Sequence, residues 1–280
     1  MKNILTIDVE EIFHAELVRN SINLKKDFRT PQNIPIVLDL LSAYNAKATF
    51  FIVGEIAQLY PQIVKEIENY GHEVAFHSWS HLPLQRQNRN SFKEEIFKFK
   101  EICPKCVGFR APSFSLNKST SWALDVLLEN NFQYDSSIFP AYTPMYGSSK
   151  ALMRPYTPSS TDISKETPGF GLREFPLAVY SFLGLRVPIA GGFWLRFWSN
   201  HLIKKGIKKL NAAGMPAVLF LHNWELDPET PKIRLPLLKN FVTYHHFSKT
   251  KEKLVSLMTD NALTSVKDYI NSSDFLGTFD

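Results

Sequence analysis

The chain has 280 residues, of which 44% are hydrophobic and 21% are charged. This composition supports one large core and excludes general disorder. The net charge is +5 with a pI of about 9.0, and the basic residues are scattered except at Lys204-Lys205 and Lys208-Lys209. A solvated helix face explains these clusters, so we expect no nucleic acid partner.

Strand-like and helix-like segments alternate through the first half of the chain. Apolar segments rich in β-forming residues predict strands at 4–9, 48–53, 73–77, 107–110 and 133–135. Helical spacing of apolar residues predicts helices at 35–45, at 56–70, from Ser91 with Glu94 completing a capping box, and at 117–130. Repeated strand–helix units indicate a parallel sheet covered by helices.

The second half begins with a segment rich in Pro, Ser, Thr and Tyr, which predicts a long loop over residues 140–170. Such loops in compact domains are usually functional or mobile. Regular structure is predicted again from 172 to 176. It is followed by a helix at 197–213, a strand at 217–221 and a helix at 249–260. At least six strand–helix units predict an α/β barrel, with an open doubly wound sheet as the alternative. No linker divides the chain, so we expect one domain over 1–280.

Two further features bear on the environment of the protein. The apolar run at the N-terminus is too short for a signal peptide, and no later uncharged run reaches membrane-spanning length, so we expect a cytoplasmic protein. The only cysteines, Cys103 and Cys106, form a single C-x-x-C. No second pair completes a zinc site, and we interpret them as two thiols in a surface loop.

Chemically active residues recur where the predicted strands end. In parallel α/β folds the carboxyl ends of the strands meet at one face, which is where active sites form. The residues at or just after these ends are Asp8, Glu10, His77, His81, Arg110, Asp135 and His222. Together they predict one site with acids, bases and metal ligands.

His77 and His81 lie in the sequence His-Ser-Trp-Ser-His. Their four-residue spacing predicts two imidazoles on one side of a helical turn, where they can share a metal ion. Position 78 is Ser, which excludes the H-E-x-x-H metalloprotease pattern. Two histidines and one carboxylate are a common hydrolytic zinc set.

The sequence Asp-x-Glu at the end of the first strand supplies that carboxylate. Alternation of side chains places Asp8 and Glu10 on one side of the chain, so one can bind metal while the other acts as a base. Glu11 and His14 lie close by. His14 could be a metal ligand, a partner of a ligand, or a surface residue, and we favour the latter two.

At this point the sequence resembles the polysaccharide deacetylases of the nodulation-type homology group, carbohydrate esterase family four. The segments that carry the resemblance, over about residues 1–230, are Thr6–Glu10, Ala48–Phe51, Gly71–His81, Gly108–Ser113 and Leu219–His222. The family motif has adjacent aspartates, whereas position 9 here is Val. The segments 134–140 and 222–228 further suggest the subgroup associated with bacterial exopolysaccharide export.

The resemblance implies an irregular (β/α) barrel of seven or eight strands, with a C-terminal extension packed on it. It also implies a metal-dependent hydrolase that removes N-acetyl groups from N-acetylhexosamine residues of a polysaccharide or its precursor. The implied roles are base for Asp8, orienting partner for Arg110, general acid for His222, and ligands of a divalent ion, with Zn²⁺ favoured, for Glu10, His77 and His81. A backbone N–H near Ser113 is implied as an oxyanion donor.

Three further positions and one aromatic segment are candidates for binding the glycan. Asp135 could tune His222 or hydrogen-bond the sugar, or it could cap the Ser136-Ser137 turn. Trp79 and Trp224 neighbour the proposed site and could line a sugar groove. The aromatic residues of 193–198 could form a sugar platform, although at helical spacing they are more typical of a core.

Two other functions stay open. One is a small-amide hydrolase of the allantoinase or formamidase kind on the same scaffold, which would need a closed pocket. The other is a non-catalytic glycan-binding relative, although binding alone does not need a base, an acid and a metal set. The sequence does not predict the sugar or the oligomeric state.

Overall fold

A computed structural model describes residues 1–19, 27–167, 169, 171–189 and 191–276. Pro168 and Phe170, at the end of the predicted 140–170 loop, lie outside the described residues. In the described part of the chain, the main-sheet strands are β1 (Asn3–Val9), β2 (Thr49–Ile52), β3 (Glu73–Phe76), β4 (Gly108–Phe109), β5 (Tyr134–Asp135), β6 (Arg173–Glu174), β9 (Val218–His222) and β10 (Leu263–Thr264). A separate antiparallel hairpin contains β7 (Val179–Phe182) and β8 (Leu185–Pro188).

The main sheet is parallel and curls into an irregular barrel, which confirms the predicted fold class and rules out the open doubly wound sheet. Strands β1 to β6 follow one another in order, and β9 pairs with the free side of β1. The amide of Ala178, just after β6, donates a hydrogen bond to the carbonyl of Val218 in β9 (2.9 Å). This contact links the two ends of the curl.

Eleven helices cover the sheet and its ends in the described residues. They are α1 (Thr30–Ala43), α2 (Gly54–Leu59), α3 (Pro61–Asn69), α4 (Arg89–Ile102), α5 (Trp122–Glu129), α6 (Gly192–Phe197), α7 (Asn200–Ala212), α8 (Leu237–Tyr244), α9 (Thr250–Asp260), α10 (Val266–Ile270) and α11 (Ser273–Leu276). Strands from the N-terminal and C-terminal halves share one sheet, which is consistent with the prediction of a single domain; that prediction remains untested.

Several helix boundaries differ from the prediction: α1 begins at Thr30 and not at residue 35, α5 begins at Trp122 and not at residue 117, and α7 begins at Asn200 and not at residue 197. Two further differences have a clear local cause. The helix predicted over 56–70 is two helices, because Pro61 lacks an amide hydrogen and disfavours helical geometry at Tyr60 before it. The predicted cap Ser91 is the third residue of α4. The cap is Asn88, whose side chain accepts hydrogen bonds from the amides of Asn90 and Ser91 (both 3.0 Å).

The prediction of a surface loop for the cysteines is wrong. Cys103 and Cys106 are free thiols and both are buried. Burial raises the pKa of Cys103 to about 11 and raises that of Cys106 as well. Both thiols therefore stay protonated near neutral pH and behave as small apolar core residues.

Close packing at Gly108 supports the end of the barrel opposite the predicted site. An added Cβ at position 108 would lie 2.0 Å from Cζ of Tyr134. The Tyr134 hydroxyl donates to the buried carboxylate of Glu73 (2.8 Å), which also accepts from the Thr49 hydroxyl (2.6 Å). The absence of a side chain at 108 therefore leaves room for the ring that reaches this carboxylate.

We expect Gly108→Ala to lower the free energy of unfolding by about 1–3 kcal/mol, because the Tyr134 ring must move and weaken its bond to Glu73. Urea unfolding followed by circular dichroism measures the change. Gly171→Ala is the control, since its Cβ would meet a single side-chain atom, Cδ1 of Leu128 at 3.1 Å. Equal losses in the two variants would contradict this account of Gly108.

Candidate active site

The carboxyl ends of four barrel strands meet around one cavity. Water can enter about 120 Å³ of it. The cavity is lined by the predicted residues Asp8, Glu10, His77, His81, Ser113, His222 and Trp224, and by Phe114, Met145, Tyr146, Phe193, Arg196 and Phe220, among others. Parallel pairing of β9, β1, β2, β3 and β4 brings these distant parts of the sequence to one face.

Arg110 lies fully buried beside Asp8 at the base of the cavity. Its Nη1 donates to Oδ1 of Asp8 and to Oγ1 of Thr6, both at 2.7 Å. Its Nε donates to the carbonyl of Ser136, and its Nη2 donates to the Ser136 hydroxyl, both at 2.8 Å. This arrangement places Arg110 next to Asp8 as the resemblance implied and fixes the orientation of the carboxylate.

Glu10, His77 and His81 form a buried cluster in which one ligand atom from each residue lies within 4.8 Å of the others. Oε2 of Glu10 is 2.6 Å from Nε2 of His81. Nδ1 of His77 donates to the carbonyl of Arg110 (2.7 Å), which leaves Nε2 of that ring with its lone pair free. A hydrogen bond of this kind is what orients a metal-binding imidazole.

The two histidines do not lie on a helical turn, so that part of the prediction is wrong. Residues 77–81 form an irregular loop, and Ser78 (φ 62°) and His81 (φ 54°) adopt left-handed backbone conformations. Glu95 of α4 accepts hydrogen bonds from the Ser78 hydroxyl (3.0 Å) and the Trp79 amide (2.9 Å). These contacts hold a strained loop that brings the ring centroids of the histidine pair to 4.9 Å.

The chemistry of this cluster fits a divalent cation. Burial lowers the pKa of His77 to about 4, so the ring is neutral and able to donate a lone pair. Burial alone raises the pKa of Glu10, but His81 and His222 outweigh it and hold that pKa well below its usual range. Among the described residues, Nδ1 of His81 is buried without a hydrogen-bond partner. Two imidazoles and an ionised carboxylate are a typical zinc set.

His222 stands opposite this cluster, at the end of β9, with 22% of its side chain exposed. Its Nδ1 donates to Oε1 of Glu225 (2.6 Å), while its Nε2 is 3.7 Å from Oε1 of Glu10. Burial alone lowers the pKa of His222, but the charges of Glu10 and Glu225 raise it to about 9. The imidazole is therefore protonated at neutral pH in the metal-free protein.

Sequence reasoning missed two residues behind His222, which are Glu225 and Arg196. The net pKa of Glu225 is lowered, because the charges of Arg196 and His222 outweigh the opposite effect of burial. Nε of Arg196, in α6, lies 3.0 Å from Oε2 of Glu225. The spacing His222-x-x-Glu225 is a signal that could have identified the glutamate, whereas Arg196 is brought in by tertiary packing.

Trp224 and Ser113 line the cavity in different ways. Trp224 is buried, donates its Nε1–H to Oε1 of Glu10 (3.2 Å) and stacks on His222 with ring centroids 4.9 Å apart. It therefore supports the side chains of His222 and Glu10 and is not an open groove wall. Ser113 has a left-handed backbone (φ 53°), which turns the chain at the cavity wall.

Two predicted glycan contacts do not reach the cavity. Trp79 lies on the outer side of the histidine loop, packed over Gly54 of α2 with Lys98 of α4 above its ring. Asp135 is fully buried, accepts a hydrogen bond from the Ser137 hydroxyl and lies beside Glu174. Burial raises the pKa of Asp135 to about 6, and the structure gives no contact with His222.

The other acidic and imidazole side chains near Glu10 have structural partners. Glu11 accepts hydrogen bonds from the amides of Arg29 (3.0 Å) and Thr30 (2.8 Å) and so anchors the start of α1. His14 is buried rather than on the surface. Its Nδ1 accepts from the Glu11 amide (3.1 Å), and its ring stacks on that of His81 with centroids 5.9 Å apart.

Of the aromatic residues in 193–198, Phe193 lines the cavity.

Two family models match the chain. The polysaccharide deacetylase model matches residues 16–129, which include His77, His81 and Arg110. A model described as a domain of unknown function, DUF3473, matches residues 136–271, which include His222. The deacetylase match is shorter than the span of 1–230 over which we predicted the resemblance.

Curated relatives are similar over limited stretches. A peptidoglycan-N-acetylglucosamine deacetylase of Bacillus cereus is 42% identical over 80 residues, which cover 29% of this chain and 29% of that protein. A chitooligosaccharide deacetylase of Sinorhizobium fredii is 31% identical over 83 residues, 28% of this chain and 39% of that protein. The chain thus spans well under half the length of these relatives.

One solved structure is similar over nearly the whole fold. It is a Mycobacterium smegmatis protein assigned to the polysaccharide deacetylases, with a TM-score of 0.57 and 17% identity, covering 96% of this chain and 90% of that one. This likeness agrees with the observed barrel. It carries no information on substrate at this level of identity.

We expect the His222 imidazole in metal-free protein to titrate at about pH 9 and to titrate lower in Glu225→Gln, because the neutral amide removes one of the charges that raise its pKa. Because folding raises this pKa, protonation of His222 stabilises the folded state. The full contribution is present below about pH 6.5, the ordinary pKa of histidine, and it is lost as the pH rises through about 9.

NMR titration of the histidine ring protons, after chelation of metal, measures both midpoints. Glu252→Gln is the control, since that carboxylate is exposed and pairs with Lys249. An unchanged His222 midpoint in Glu225→Gln would show that the pair does not set its pKa.

Proposed function

Since the chain contains a polysaccharide deacetylase domain, matched over residues 16–129, we propose that it is a metal-dependent hydrolase that removes N-acetyl groups from N-acetylhexosamine residues of a glycan. One observation carries the proposal: Asp8, which pairs with the buried Arg110, the Glu10–His77–His81 cluster and His222 all line a single cavity. A binding protein needs none of these three chemistries together, so the arrangement favours catalysis over a non-catalytic glycan-binding relative.

The proposed mechanism assigns one proton transfer to each side of the cavity. Asp8, oriented by Arg110, accepts a proton from the attacking water. His222, held by Glu225, is the proposed donor of a proton to the leaving amine. Acetate and a free amino sugar result, so the reaction consumes one water for each amide bond broken. The backbone at Ser113 is the proposed donor to the developing oxyanion.

Glu10, His77 and His81 are the residues that would hold the divalent ion. We propose Zn²⁺, because imidazole nitrogens with one carboxylate suit that ion. When bound, the ion supplies Lewis acidity that polarises the acetamide carbonyl and lowers the pKa of water. The protein keeps the imidazole of His77 neutral and its Nδ1 engaged by the Arg110 carbonyl.

A second depression favours a glycan over a small amide. It shares Glu16, Ser113, Phe114, Met145 and Tyr146 with the cavity wall and continues along 83–86 and 115–117. The cavity itself is smaller than the 300–1,000 Å³ typical of pockets for drug-sized ligands. It is suited to an acetamido group, with the rest of the sugar chain in the adjoining depression. A small-amide hydrolase would use the cavity alone.

Two finer predictions belong with this proposal. We propose an exopolysaccharide or its precursor as the glycan, since the segments 134–140 and 222–228 resemble the export-associated subgroup. In the described residues, no helix combines the length and apolarity needed to cross a membrane. The predicted cytoplasmic location remains a prediction, and cell fractionation of the native protein would test it.

We expect the metal-free protein to bind one Zn²⁺, and His77→Ala to weaken this binding by more than the roughly 10–100-fold typical of losing an outer-shell partner. Isothermal titration calorimetry measures the affinity. His72→Ala is the control, because His72 is buried at the opposite end of β3 and its Nδ1 accepts from the Ala48 amide. His14→Ala tests the rival ligand. A larger loss there than in His77→Ala would refute the proposed ligand set.

We expect acetate release from N-acetylglucosamine oligomers to require added Zn²⁺ and to fall about 10²–10⁴-fold in kcat in Asp8→Asn, because the amide cannot accept the proton. Enzymatic detection of acetate measures the rate. Asp8→Asn should still bind Zn²⁺, which separates loss of the base from loss of the metal. Release from a small formamide but not from oligomers would support the alternative substrate class. Metal binding with no hydrolysis of any amide would support the non-catalytic relative.

A further inference from the structure

Helix α8 turns its apolar side away from the protein. Leu237, Leu238 and Phe241 are 91%, 76% and 43% exposed, whereas Thr243 is the one buried residue of the helix. At 100° per residue the three apolar side chains share one face, and Thr243 lies on the opposite face. A surface helix normally buries its apolar stripe. In α8 the apolar side chains are exposed and a polar side chain is buried, so the apolar face is open to contact with another molecule or with a membrane.

The helix is held to the body by its C-terminal end. Nη1 of Arg196 donates to the carbonyls of Thr243 (2.8 Å) and His245 (3.0 Å), and Nη2 donates to that of Val242 (3.2 Å). The turn that carries the two leucines projects from this anchor. Phe241 contacts Phe193, which lines the cavity (ring centroids 5.7 Å apart). Apolar surface therefore continues from α8 to the cavity mouth.

The segment around α8 is uniformly basic. From residue 230 to residue 251 the sequence contains no Asp or Glu. Exposed Lys232 and Arg234 precede the helix, and exposed Lys239 lies within it. Within the described part of the chain, none of these three side chains forms an ion pair, although the net charge of the whole chain is only +5. The positive charge here is thus available to an anionic surface.

We propose that the α8 surface, defined as Lys232, Arg234, Leu237, Leu238 and Phe241, docks on an anionic lipid bilayer. Apolar side chains that enter the headgroup region together with flanking Lys and Arg are the features of an interfacial helix. A standard protein interface uses about 20–30 residues a side, which three apolar side chains do not supply.

Docking in this orientation would place the cavity at the membrane surface. Val242 and Thr243, on the same helix, line the cavity wall. A glycan attached to a lipid would then meet the site without leaving the bilayer. The binding itself does not require hydrolysis, so it can be tested whether or not the chain is a deacetylase.

The test is co-sedimentation of the full chain with phosphatidylcholine vesicles, with and without phosphatidylglycerol. We expect binding to the vesicles that contain phosphatidylglycerol, and a loss of about tenfold or more in partitioning for the double variant Leu237→Ser/Leu238→Ser. The double variant Leu59→Ser/Phe97→Ser is the control, since these side chains are 54% and 55% exposed on other helices. It should bind as wild type does.

A second pair tests the charge. Lys232→Gln/Arg234→Gln should lower partitioning about tenfold, while Lys65→Gln/Lys105→Gln, exposed on other elements, should have no effect. Acetate release from soluble oligomers should not change in any of the four double variants.

Three results would overturn the proposal: no binding of wild type to phosphatidylglycerol vesicles, equal losses in the α8 and control variants, or a dimer in solution that Leu237→Ser/Leu238→Ser abolishes without vesicle binding by wild type. The last result would assign the face to a second copy of the chain.

Discussion

The site depends on a positive charge that is completely removed from water. The guanidinium of Arg110 lies 4.3 Å from the centroid of the Phe51 ring, in an environment where an unpaired charge would be very unfavourable. It is tolerated because Asp8, Thr6 and Ser136 satisfy its donors. The same residue's carbonyl accepts from Nδ1 of His77. One buried residue therefore orients both the proposed base and a proposed ligand, and it ties the ends of β1, β3 and β5 together.

Around this centre, two histidines have opposite protonation for physical reasons that the structure makes plain. His77 has no hydrogen-bonded carboxylate, so burial dominates and its pKa falls. His222 lies between Glu10 and Glu225, so neighbouring charge dominates and its pKa rises. A ligand must be neutral and a general acid must be protonated. The two environments therefore suit the two roles proposed for these histidines, a neutral ligand for His77 and a protonated acid for His222.

Local pattern predicted the parts of the fold that depend on local physics. Strands β1, β2, β3 and β9 are short, apolar and almost entirely buried, and each was predicted within two residues. Elements whose stability depends on distant partners were missed. Helix α8 carries its apolar side outward and is held by Arg196, and hairpin β7–β8 has two exposed positions in a row. Neither shows the periodicity of a helix or strand that faces its own core.

The sequence by itself determined a parallel α/β sheet and the residues that could supply acid, base and metal chemistry, because parallel strands place their carboxyl ends at one face whatever the loops do. The choice between a barrel and an open sheet needed the tertiary structure. Only the tertiary structure decided which candidates meet. It turned Trp79 outward and buried Asp135 beside Glu174, because loop conformation and side-chain direction depend on contacts far apart in the chain. It also brought Arg196 to Glu225 behind His222, across a separation in the chain that no local spacing encodes.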